Sequence, residues 1–190
     1  FGGYTTNNAR YNKFTGGSGN DEAQILQSGL DQYDTIALGA GTGDVVTTTA
    51  SYTSNAASNL FYTDTLAAAK QPTFSGVEIA KIILADSGGA STVTATSASF
   101  ASTLQLDGDL VNAKATVSSI PTTVTTIKLG KTLDISDDSG ALDLVYTSAT
   151  ASAPAASMTI TSDLKETSTA IANIDDLQAD EVTSVDSNLA

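Results

Sequence analysis

The residues whose types and spacing suit a defined chemistry lie together in Thr15-Gly16-Gly17-Ser18-Gly19-Asn20-Asp21. Glycine permits turn conformations closed to other residues and leaves its carbonyl accessible to a cation. The aspartate adds a hard, charged oxygen, the ligand type that Ca²⁺ prefers. Asp21 is therefore the first candidate metal ligand, with the carbonyls of Gly17 and Gly19 beside it. A degenerate second copy follows at Leu38-Gly39-Ala40-Gly41-Thr42-Gly43-Asp44-Val45, after the strand-like Tyr33-Asp34-Thr35-Ile36. Asp34 and Asp44 are expected to contribute from this second turn if the two turns lie side by side. Ca²⁺ is the expected cofactor.

The stretch Phe14 to Val46 resembles the RTX-type (repeats-in-toxin) segments of secreted bacterial surface proteins. Among these it is most similar to surface-layer proteins and large adhesins, in which glycine-rich turns alternate with short strands. The match departs from the family pattern at three places. Ala23 stands where a large aliphatic residue is usual, Leu38 replaces a glycine, and Gly43 holds the aspartate position, with Asp44 one residue late. The resemblance implies a secreted protein with calcium-stabilised turns.

Other chemistries find little support. The chain contains no His and no Cys, so the usual general base and thiol nucleophile are missing and no enzyme activity is expected. The adjacent carboxylates Asp137/Asp138 and Asp175/Asp176 would point to opposite faces of a strand. Gly39-Ala40-Gly41 lacks the Gly-Lys-Ser/Thr ending of a phosphate loop, and Ser139 replaces the glycine that an EF-hand loop from Asp134 requires. Asp107-Gly108-Asp109 reads as a generic acidic turn. A formal charge of −13, from 21 acidic and 8 basic side chains, argues against nucleic acid and anionic membranes. Without cysteine there is no disulfide framework, and bound Ca²⁺ is the alternative staple.

No run approaches the roughly 20 apolar residues of a membrane-spanning helix, so no membrane insertion is expected. The opening Phe1-Gly2-Gly3-Tyr4 is not a secretory signal, and the sequence reads as an excerpt or processed form of a longer chain. Acidic residues crowd the end: eleven lie between Lys131 and Ala190, against Lys131 and Lys165 alone. A solvated acidic face explains them, as does divalent-cation screening between neighbouring copies of an assembly.

The elements that must position these groups are read as β-strands. Thr, Ser and Ala make up about two residues in five, and period-two alternation recurs in short runs. Residues 1–72 form an aromatic-containing segment holding the Gly-rich turns, with Pro72 as the boundary. Residues 73–190 form a Thr/Ser/Ala-rich β module. Nine of the eleven aromatic residues precede Lys81, so the early core is expected to use rings and the later core aliphatic residues.

The run Val77 to Leu84 suits a strand better than a helix, and Thr92 to Thr96 and Leu104 to Leu106 read as further strands. Thr132 to Ser136 and Ala141 to Tyr146 flank Asp137-Asp138-Ser139-Gly140, a strong turn, and predict a hairpin. Ala149 to Ser157 reads as a loop. Ile171, Ile174 and Leu177 fall at helical spacing and predict a short helix.

The expected fold is all-β, a parallel β-solenoid or β-roll with Gly-rich turns; an antiparallel β-sandwich built from the same strands is the alternative. The resemblance implies a structural surface protein that self-assembles into a calcium-stabilised extracellular lattice, a surface layer. Two alternatives stand beside it. One is an adhesin or filament subunit assembled by strand donation from Phe1 to Phe14. The other is a virion protein such as a phage tail fibre or decoration protein. The expected partner is the protein itself, and a cell-surface glycan is a further candidate.

Overall fold

Alternating residues decide which face of each strand is covered. The computed structural model of the chain describes residues 12–25, 30–50, 61, 71–84, 91–108, 114–133, 141–146, 158–162, 174–178 and 185–188. Strands β1 (Lys13–Thr15), β3 (Thr35–Ala37) and β5 (Thr73–Ser75) form a three-stranded sheet. Strands β7 (Ser91–Thr94), β9 (Lys114–Ile120), β11 (Ala141–Tyr146) and β13 (Ile174–Gln178) form a four-stranded sheet. The remaining strands build a seven-stranded sheet: β2 (Glu22–Ile25), β4 (Val45–Ala50), β6 (Ile79–Leu84), β8 (Thr103–Gly108), β10 (Thr126–Leu129), β12 (Met158–Ser162) and β14 (Val185–Asn188).

Within each sheet a strand pairs with the strand two places on, while β5 ends one sheet and β7 begins another; every described pairing is parallel. Parallel neighbours need a crossover, and here the crossover is itself a strand in another sheet. The described part is thus all-β and parallel, apart from one 3-10 turn at Thr96–Ala98. The antiparallel sandwich is excluded for these residues.

Register turns alternation into columns. Ala23, Val46, Ala80, Leu104 and Ile127 lie side by side across the large sheet, as do Ile25, Thr48, Ile82, Leu106 and Leu129. All ten are buried. A one-residue slip would turn every one of them outward, so the columns fix the register. Residues from all three sheets join one core, including Ile36 of β3 and Val93 and Val117 of the four-stranded sheet. The pairings β3 with β5 and β4 with β6 run across position 72, so the segments on either side of Pro72 share that core.

The aromatic residues gather where the odd strands change sheet. Phe74 of β5 stacks on Phe100 (centroids 3.9 Å apart, planes 11° apart), and the fully buried Phe61 meets Phe100 edge-on at 5.1 Å.

Three local expectations are corrected. β11 is paired on both edges, by β9 and β13, both parallel. It therefore has no edge left for a hairpin partner at Thr132 to Ser136, and Leu133 is instead buried in the core. Ile174–Gln178, expected as part of a helix, is strand β13, because pairing with β11 overrides a weak helical spacing. Of the acidic turn expected at Asp107-Gly108-Asp109, the first two residues are the end of β8, and Asp109 lies outside the described residues. The Ala149 to Ser157 loop and the Asp86 to Gly89 turn lie outside the described residues. No helix among the described residues is long and apolar enough to cross a membrane.

Candidate functional site

The residues that precede the first five strands of the large sheet stand in one column: Asp21, Asp44, Glu78, Ser102 and Thr125. They are joined by backbone bonds, with Val45 N–H donating to the Asp21 carbonyl, Ile79 N–H to that of Asp44, Thr103 N–H to that of Glu78 and Thr126 N–H to that of Ser102. Successive members are 23, 34 and 24 residues apart as far as Ser102. The strands thus keep register while the chain between them varies in length.

Carboxylates close the early part of this column. Asp44 is fully buried; its Oδ1 accepts the Asp21 N–H at 2.7 Å and its Oδ2 the Gly41 N–H at 3.2 Å. Glu78 repeats the forward contact, its Oε2 accepting the Asp44 N–H at 2.9 Å. Asp21 Oδ2 accepts the N–H of Gly17 at 2.7 Å, within its own turn. A charge-assisted bond to a buried N–H is worth about 1.5–3 kcal/mol. These acids therefore seal one level of the sheet against the next.

Asp34 performs the same task elsewhere. It precedes β3, in the three-stranded sheet, whereas Asp44 precedes β4 in the large one. Asp34 Oδ1 accepts both the N–H and the side-chain amide of Asn12, at 2.8 and 2.7 Å, and its Oδ2 accepts the Asp31 N–H at 2.7 Å. One oxygen reaches the preceding level and the other closes the local turn, as in Asp44. Pro72 holds the next place after Asn12 and Asp34 and has no N–H to offer; there the Thr73 N–H bonds the Asp34 carbonyl.

Glycine answers the same need for close approach. Gly39, at φ 105°, packs its Cα against the Gly17 carbonyl, and Gly76, at φ 59°, packs against that of Gly39. A Cβ at either position would overlap backbone.

These geometries bear on the expected metal. The Gly17 carbonyl accepts the Ala40 N–H, and both oxygens of Asp34 and of Asp44 already face N–H donors, whose positive ends oppose a cation. The Gly19 carbonyl and Asp44 Oδ1 do converge, each 2.5 Å from where a Gly41 Cβ would stand. Two oxygens fall short of the roughly six to eight that Ca²⁺ takes. No group of three or more acidic side chains suited to a metal occurs among the described residues.

Asp107 and its partners were not legible as a cluster in the sequence. The Asp107 carboxylate, buried in β8, accepts the Gln105 side-chain amide at 2.7 Å, the Thr132 N–H at 3.1 Å and the Thr132 hydroxyl at 3.0 Å. Lys81 on β6 pairs with it at 3.2 Å. Burial alone would raise its pKa; the Gln105, Thr132 and Lys81 contacts outweigh that and hold it below the ordinary 3.8. Gly130 packs directly on this carboxylate, where any side chain would collide with it. Glu78 was also missed, although its signal was present: like Asp44, it directly precedes an aliphatic strand.

No family model, curated protein or solved structure matches this chain.

Proposed function

We propose that the chain is a structural module of a secreted surface protein, a parallel β-solenoid of β-roll type that self-assembles into an extracellular lattice such as a surface layer. The observation that carries this reading is the use made of its polar and glycine residues. Asp21, Asp34, Asp44 and Glu78, which would be the chemistry of a reactive site, are hydrogen-bonded to backbone N–H groups. Gly39 and Gly76 serve the close stacking of one level on another. Such residues build a scaffold.

In this reading Ca²⁺ acts between copies. A charge of −13 opposes close packing of identical surfaces, and a divalent cation bridging acidic faces offsets it. The strand-donation alternative is narrowed by Phe14, which lies in β1 and packs against the chain's own core; residues 1–11 of that segment lie outside the described residues.

The test is assembly of the purified chain, followed by electron microscopy and thermal melting, with Ca²⁺ and then with excess chelator. Ordered sheets that dissolve on chelation, with little change in the melting of the dispersed protein, are the expected result. A chain that stays dispersed with Ca²⁺ at every concentration sinks the lattice.

A further inference from the structure

We propose that the fold consists of two blocks, β1–β6 and β7–β14, that open as separate units and meet at a seam where a stack of phenylalanines stands in for a missing strand pairing. The seam lies inside the single chain and does not depend on assembly. Three observations converge on it.

The first is a gap in the pairing. Other steps from one level to the next are crossed by two parallel ladders: β1–β3 runs beside β2–β4, β3–β5 beside β4–β6, and β7–β9 beside β8–β10. At the step from β5 and β6 to β7 and β8, one sheet has ended and another begins. Among the described residues the β6–β8 ladder crosses that step alone. In a stack of levels, cooperativity depends on the interface between neighbours, and here one of its two ladders is absent.

The second is what occupies the gap. Phe74 belongs to β5, the last strand of its sheet, and Phe100 follows β7; their rings stack at 3.9 Å. Phe61, between β4 and β5 in sequence, meets Phe100 edge-on at 5.1 Å. The Phe61 N–H donates to the Ser97 hydroxyl at 3.3 Å, and both residues are buried. Each of these contacts joins a residue before β6 to one after it. Ring pairs of this geometry add to apolar burial, and both of them depend on Phe100.

The third is a change of corner. Before the seam the positive-φ glycines follow odd strands, Gly39 after β3 and Gly76 after β5. At β8 the tight corner has moved to the exit of the large sheet, where Gly108, at φ 109°, packs against the Leu84 carbonyl. In the strand-entry column the acids Asp21, Asp44 and Glu78 give way to Ser102 and Thr125 at the same step. The two blocks therefore differ in how their turns are built as well as in where their strands pair.

Native-state hydrogen exchange of the full chain in rising urea, read by mass spectrometry, tests the seam. Amides of β2 and β4 are expected to share one opening transition, and those of β8 and β10 another. Phe100→Ala removes both ring contacts and should split the thermal melt into two steps, with the opening rates of the two blocks moving several-fold further apart. Phe100→Leu, which keeps most of the apolar bulk, should restore part of the coupling. Should the alanine variant lose its fold, Ser97→Ala, which removes only the acceptor of the Phe61 N–H, is expected to act in the same direction and less. Exchange that falls off evenly from level to level, a break at a different step, or a folded Phe100→Ala chain that still opens as one unit overturns the proposal.

Discussion

Two halves of the strand-entry column solve one problem in opposite ways. In the early levels the Asp21 and Asp44 N–H groups reach forward, to the carboxylates of Asp44 and Glu78 on the following level. At Glu78 and Thr125 the entry N–H groups turn back. Glu78 N–H donates to the Asp44 carbonyl and Thr125 N–H to that of Ser102, and the acid is replaced by a hydroxyl. A carboxylate occurs where the backbone leaves an N–H unanswered, and disappears where a carbonyl already answers it. The difference teaches that the placing of these acids follows the local backbone geometry.

The sharpest way to break this comparison is to disturb the glycine stacking that accompanies the early acids. Gly39→Val drives a branched side chain into the Gly17 backbone at a positive φ, and a loss of about 4 kcal/mol or more is expected from overlap and strain together. Chemical denaturation measures it; a near-neutral result would show that the levels separate easily. Next in size is Asp44→Ala, which strips acceptors from the Asp21 and Gly41 N–H groups. A loss of roughly 3 kcal/mol is expected, with Asp44→Asn recovering part of it because one oxygen remains.

Asp107 supplies a comparison in pH. Its pKa is lowered on folding, so its contribution is complete above the ordinary value of 3.8 and is lost as pH falls through the lower folded value. Urea midpoints of the parent and of Asp107→Asn should therefore differ most near neutrality and draw together below about pH 3. A constant gap would place the effect in packing alone. The smallest change is expected at Ser102→Ala, where an exposed hydroxyl makes a 3.5 Å contact with the Glu78 carbonyl. A shift within about 0.5 kcal/mol fits a column that no longer depends on side chains there.

Much of this was legible before the fold was known. Val77 to Leu84 showed its strand through alternation, and the glycine-rich turns at Gly16 to Asp21 and Leu38 to Asp44 showed that strands alternate with tight turns. What those turns bind was not legible, because an aspartate that accepts backbone N–H groups and one that holds a cation share the same neighbours in sequence. The hairpin at Asp137 to Gly140 was misread for a related reason: turn chemistry reports that the chain bends, and the partner of β11 lies at β9, across a longer separation. Ile174 to Gln178 carries apolar spacing that a helix also satisfies, and only pairing with β11 separates the two. No repeat period was visible since the levels agree in register and differ in length, 23 residues at one step and 34 at the next.

That inequality of length has a mechanical consequence. Tension along the stacking direction would load the strand pairs one after another, as in a zipper, and never all at once. Each release would exchange a step of roughly 4.8 Å for a freed segment. The 23 residues between Asp21 and Asp44 would extend to about 80 Å, and the 34 residues of the next step to more. A chain of this kind yields in unequal increments, each long compared with the spacing it replaces, and so dissipates a pull before transmitting it to its anchor points.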